Sequence, residues 1–109
     1  MKSKPGRHTA AFILLFLSKK DSYGLELLKN LESDLPNNII DSAAIYRSLK
    51  TLEQNGFVKS RLDASESGVA KKYYSITESG HEELQKFESD IKKRVKNLNY
   101  FLEEYKKIK

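Results

Sequence analysis

The sequence predicts a mainly α fold with one small β-hairpin and a long C-terminal helix. Three observations carry this. Apolar residues recur at helical spacing in three short blocks before residue 56. The period then changes to two over residues 57 to 76. From Glu82 almost to the end the chain has neither Pro nor Gly and keeps a seven-residue apolar repeat.

Residues 1 to 7, broken by Pro5 and Gly6, read as a loose basic arm. A first helix is expected from about Thr9 to Ser18. Its apolar run, Ala10 to Leu17, imitates a signal peptide, but eight residues followed by Lys19, Lys20 and Asp21 give no cleavage pattern. A short helix buried on most sides fits better. "KKDSYG" breaks it, and Asp21 or Ser22 can cap the second helix, about Tyr23 to Asp34, which lines up Leu27, Leu28 and Leu31. "LPNNII" is a loop, because Pro36 disfavours helix at Leu35.

The third helix, "SAAIYRSLKTLEQ", is expected to be capped by Asp41 or Ser42 and ended by Asn55-Gly56. It has two opposed stripes. Ile45, Leu49 and Leu52 form an apolar face. Ala43, Arg47, Lys50 and Gln54 form a second, with two cations and no acid. In the hairpin, Val58, Ser60 and Leu62 oppose Phe57, Lys59 and Arg61. Lys72, Tyr74 and Ile76 oppose Lys71, Tyr73 and Ser75, and "ASESG" is the tip. Thr77 caps the last helix, with Ser79 and Glu82 as a second capping pair. Leu84, Ile91, Leu98 and Tyr105 recur every seven residues. Phe87, Phe101 and Ile108 hold the second seam position, Arg94 interrupts it, and Val95 and Leu102 widen it. The near part of this helix is expected to pack on its own body and the far part on a second subunit.

One domain's length, no cysteine and a net charge of +5 exclude a disulfide scaffold and thiolate metal sites, and permit an anionic partner. Residues 1–55 hold eight cations and six acids, residues 56–76 four and two, and residues 77–109 eight and seven. An anion-binding surface is therefore expected upstream of residue 77. Catalysis has no support. "HEELQ" at His81 has Gln85 where a zinc motif needs a second His, and no phosphate loop or activated nucleophile is evident. No cofactor and no metal are expected.

Three short helices, a hairpin and a long helix make the layout of a winged helix-turn-helix. The major groove admits one helix, and Arg47 and Lys50 are placed to reach guanine or phosphate. Tyr74 reads as a core aromatic. Tyr46 is open to two readings, core aromatic or phosphate contact. On residues alone, a basic helix face with two cations is usually just a solvated face.

Three blocks in order resemble the PadR family of transcriptional regulators: "ILLFLSKKDSYGLELLKNL", "SAAIYRSLKTLEQNGFV" and "KKYYSITESG". The chain resembles the short members, without a separate C-terminal domain. The resemblance implies a winged helix-turn-helix DNA-binding domain over residues 1–76 and a dimerisation helix over 77–109. It implies a homodimer on double-stranded DNA with two related half-sites, usually a repressor, working in the cytoplasm with no membrane partner. DNA contacts carry onto Tyr23, Ser42, Ala43, Tyr46, Arg47, Lys50, Lys71 and Lys72. The dimer seam would use Leu84, Phe87, Ile91, Val95, Leu98, Phe101, Leu102 and Tyr105. Some relatives bind flat apolar compounds near that seam, which makes Tyr100, Phe101 and Tyr105 candidates for a small aromatic effector. The sequence departs from the family at Ala43-Ala44, which lacks a hydroxyl, at Leu25, where an aromatic is common, and in its acidic wing tip. The rival reading is a winged-helix protein–protein module with no specific DNA binding.

Overall fold

The structure is a computed structural model that describes residues 8–37, 40–64 and 68–109. The elements run α1 (Thr9–Lys19), β1 (Ser22–Tyr23), α2 (Gly24–Asp34), α3 (Ser42–Gln54), β2 (Val58–Ala64), β3 (Ala70–Ile76) and α4 (Glu78–Ile108). The basic arm expected over residues 1–7 and most of the hairpin tip lie outside the described residues.

One core joins the first three helices to the base of the sheet. Ile13, Leu14, Leu27, Leu31, Ile45 and Leu49 are completely buried, and Leu52, Val58 and Tyr74 close the cluster. Each such aliphatic side chain removed from water contributes about 1.5–3 kcal/mol. This explains why α1 is apolar nearly all round: six of its residues are buried between α3, α4 and the sheet. None of the described helices is long and apolar enough to cross a membrane.

The sheet has three strands in the order β1-β3-β2, all antiparallel. Ser22 pairs with Tyr74 and Tyr23 with Tyr73, so the segment read as a helix cap is a strand. Neither Asp21 nor Ser22 caps α2. Tyr23 holds that position and makes no side-chain cap bond. Leu62, expected on the face of Val58, is 75% exposed, because the hairpin there has run past the body and has nothing to pack against.

Two junctions fix the long helix to this body. The end of α3 closes as a Schellman motif: Phe57 N–H donates to Leu52 O at 2.9 Å, Gly56 N–H donates to Glu53 O at 3.0 Å, and Gly56 has φ 78°. Thr77 then caps α4. Its hydroxyl oxygen accepts from Gly80 N–H at 3.1 Å and its own proton goes to Gly56 O at 2.7 Å. Ser79 is therefore inside the first turn and is not a second cap.

From there α4 runs 31 residues and gives the molecule its 60 Å long axis. Leu84 and Phe87 pack against the core. Together with Ile91 they line an open groove of about 520 Å³ against Ala11, Phe12 and Leu15 of α1. Beyond Ile91 the helix leaves the body. Pairs such as Glu88–Lys92 at 3.2 Å and Asp90–Arg94 at 2.8 Å support it locally.

Candidate nucleic-acid interface

The α3 helix is positioned by its cap and its buried stripe. Asp41 accepts from Ala44 N–H at 2.8 Å, while Ala44, Ile45, Leu49 and Leu52 face the core. This turns Ser42, Ala43, Tyr46, Arg47, Lys50 and Gln54 outward, all exposed. Of the two alanines, only Ala43 is on the open side. The Asp41 carboxylate already occupies the N-terminus of α3, so that end is a poor place for a phosphate.

Tyr46 flanks the stripe and is 52% exposed. It is not a core aromatic. Its ring lies over Gly24 at the start of α2, where an added Cβ would fall 2.4 Å from the ring. Glycine is thus what lets the tyrosine lie close against that helix end. Beside it, Tyr23, Gly24, Leu25, Tyr46, Lys71, Lys72 and Tyr74 line a cleft of about 410 Å³. The cleft brings together four of the eight residues expected to touch DNA: Tyr23, Tyr46, Lys71 and Lys72. It sits at the helix end that lacks a side-chain cap, with no acid in its lining. On the other flank of α3, Arg47 borders a smaller hollow with Ala10, Ser48 and Thr51.

Strand alternation sends the two wing lysines to different partners. Lys71 lies on the outer face. Its Nζ sits 4.4 Å from the centre of the Tyr23 ring and 3.4 Å from that hydroxyl. Tyr23 meets Tyr73 edge-on at 5.3 Å, and the Arg61 guanidinium lies 5.3 Å from the Tyr73 ring centre. Arg61 then donates to Asp21 at 2.8 Å and to Ser75 Oγ at 3.3 Å. Lys72 lies on the inner face, 3.6 Å from Glu53 of α3, whose other carboxylate oxygen accepts from the Ser60 hydroxyl. Asp21 was expected as a helix cap and not as a partner of Arg61, and Glu53 was expected only as part of the block that resembles the PadR family, not as a partner of Lys72.

The Asp21 carboxyl is held below its ordinary value, first by its hydrogen bond with Ser75, which outweighs the opposing effect of burial, and then by the hydrogen bond and charge of the Arg61 guanidinium. A depressed carboxylate stabilises the fold above its unfolded pKa of about 4, and the benefit disappears as pH falls through the lower folded value. The pair is half exposed, so it contributes at most about 1 kcal/mol. In thermal unfolding, the gap between wild type and Asp21→Asn should be constant from neutral pH to about pH 5 and close below about pH 4. A gap that widens on acidification would contradict this.

The expected seam residues divide in two. Leu84, Phe87 and Ile91 are half-buried on the body. Val95, Leu98, Phe101, Leu102 and Tyr105 are exposed along the projecting helix. Phe101 and Tyr105 stack at 6.0 Å. Tyr100 is turned about 140° around the helix from Tyr105. The three residues expected to hold an effector therefore do not converge within one chain.

Residues 13–86 match the transcriptional regulator PadR-like family. No curated protein matches the chain. Among solved structures, a PadR family transcription regulator from hypervirulent Clostridium difficile is 28% identical with TM-score 0.74, covering 87% of this chain and 98% of that one. A PadR-like transcriptional regulator from Bacillus cereus is 27% identical with TM-score 0.69, covering 87% and 91%. Bacillus subtilis PadR, solved in complex with operator DNA, is 28% identical with TM-score 0.68, covering 76% of this chain and 48% of that one. With the match spanning the helices, the wing and the start of α4, the chain belongs to the PadR-like family of transcriptional regulators.

Proposed function

We propose that the chain is a cytoplasmic, homodimeric, sequence-specific DNA-binding repressor without catalytic activity. Residues 1–76 bind the duplex and residues 77–109 join the two copies. The observation that carries this reading is the outer stripe of α3. Ala43, Arg47, Lys50 and Gln54 are exposed together with no acid among them, on a helix held rigidly by its buried side. Such a helix fits the major groove, where Arg47 and Lys50 reach guanine edges or phosphate. Ser42 and Ala43 allow close approach at its start. Tyr23, Tyr46, Lys71 and Lys72 hold the flanking backbone phosphate in the cleft beside it. The complex of Bacillus subtilis PadR with operator DNA supports DNA as the partner.

The exposed seam from Val95 to Tyr105 supports pairing through α4, since a projecting helix with an apolar stripe stabilises itself by covering that stripe. A small aromatic effector would act at Tyr100, Phe101 and Tyr105 once a second copy completes their surroundings. Its supporting feature is the aromatic content of that stretch.

The test is a titration of Arg47→Ala against a duplex enriched from a random pool and against the unselected pool. The enriched duplex should lose about 1–3 kcal/mol of binding, and the pool much less. Equal losses on both would make Arg47 a phosphate contact, and no loss would remove it from the interface.

A further inference from the structure

Lys72 has two neighbourhoods at once. It lines the cleft beside Tyr46, and its Nζ is 3.6 Å from Glu53 on the last turns of α3. Glu53 lies seven residues after Tyr46, two turns along the same flank of the helix. Its carboxylate is fixed by the Ser60 hydroxyl from β2. The one acid on the wing-facing flank of α3 is thus held in place beside a cation that faces the cleft.

This inference rests on the DNA reading above and deepens it. We propose that Glu53 attenuates the grip of this surface on the DNA backbone. Its carboxylate occupies Lys72 in the free protein and competes with backbone phosphate for it.

Non-specific binding comes almost entirely from phosphate neutralisation. A fixed carboxylate within a Debye length of about 10 Å repels every phosphate that approaches Lys72, whatever the sequence. Glu53 therefore lowers affinity for every duplex by a similar factor and keeps phosphate-driven, non-specific binding weak. The exchange is cheap, because both partners are partly exposed, 51% for Lys72 and 36% for Glu53, and such pairs are weak. The partial negative charge at the C-terminal end of α3 helps keep Lys72 there in the absence of DNA.

Glu53→Gln is the appropriate variant, since the amide oxygen still accepts from Ser60. Its binding to the enriched duplex and to the random pool is titrated over salt, beside wild type, Lys72→Gln and the double variant. We expect Glu53→Gln to bind the random pool several-fold tighter at low salt. Its log–log salt slope should steepen by about one per protomer, so that affinity falls about threefold more per protomer between roughly 50 and 200 mM salt. The enriched duplex should gain by a similar factor, and both gains should vanish in the Lys72→Gln background. An unchanged slope and an unchanged affinity overturn the inference. So does an equal gain in the Lys72→Gln background, which would be a bulk charge effect. Wild type that binds neither probe in a salt-sensitive way overturns the DNA reading itself, and this inference with it.

Discussion

Gly80→Ala should destabilise the fold by about 2–4 kcal/mol, although alanine is the better helix former by about 1 kcal/mol. Gly80 lies in the first turn of α4 and is buried. A Cβ there would fall 2.1 Å from the Phe57 carbonyl oxygen and 2.7 Å from Ile76 Cγ1. The Ile76 side chain can turn away, but the carbonyl cannot. That oxygen already accepts from Thr77 N–H at 3.0 Å, so moving it loosens the bond that starts the helix. The strain falls on the only described junction where the end of α3, the hairpin and α4 meet. Denaturant unfolding measures the effect directly. An unchanged midpoint would mean that α4 is not seated on the hairpin as described.

The second large effect is on assembly. Leu98→Glu combined with Phe101→Glu should leave the single chain folded and abolish pairing. Both side chains are more than 60% exposed, so a charge there costs the isolated chain little. In a paired seam each would place a charge against apolar side chains, which is expensive. Solution mass should fall to that of one chain at all practical concentrations. Affinity for a duplex with two half-sites should fall about 10²–10⁴-fold, because each copy then binds without the effective concentration supplied by its partner. Affinity for a single half-site should hardly change. A variant that still pairs would place the interface elsewhere, with the α1–α4 groove the next surface to alter.

How far the sequence foretold this structure depends on which interactions are local. The α3 helix was legible from end to end. Its period, its Asp41 cap and its Gly56 terminator all act within a few residues of where they stand, and Thr77 is legible for the same reason. The strand β1 was not. Two residues have no period, and Ser22 and Tyr23 are extended only because β3 lies alongside, some fifty residues later. Once they pair as a strand, Tyr23 becomes the residue before α2, and the cap expected from Asp21 or Ser22 disappears. Leu62 shows the opposite error. Alternation assigned its face correctly, but the body does not extend that far.

The site was legible in part for the same reasons. Alternation separated Lys71 from Lys72, yet nothing local says that one rests on Tyr23 and the other beside Glu53. The closeness of Gly24 to Tyr46 depends on how α2 and α3 pack, so the glycine looks like a simple helix start in the sequence. Arg61 illustrates the limit of counting charges. As one of the four cations of residues 56–76 it counted toward the expected anion-binding surface, whereas its Asp21 partner makes it part of what holds the wing to β1.

A protein–protein module could share this fold, but it would have no need for an acid-free stripe on α3. Selection of random duplex DNA by the purified protein, with its mass in solution measured alongside, decides between them. The account predicts a dimer that enriches a two-fold related motif, with half-site centres about 34 Å apart or a multiple of it. A monomer, or a dimer that retains DNA only weakly and without sequence preference, would contradict the claim that α3 reads the major groove.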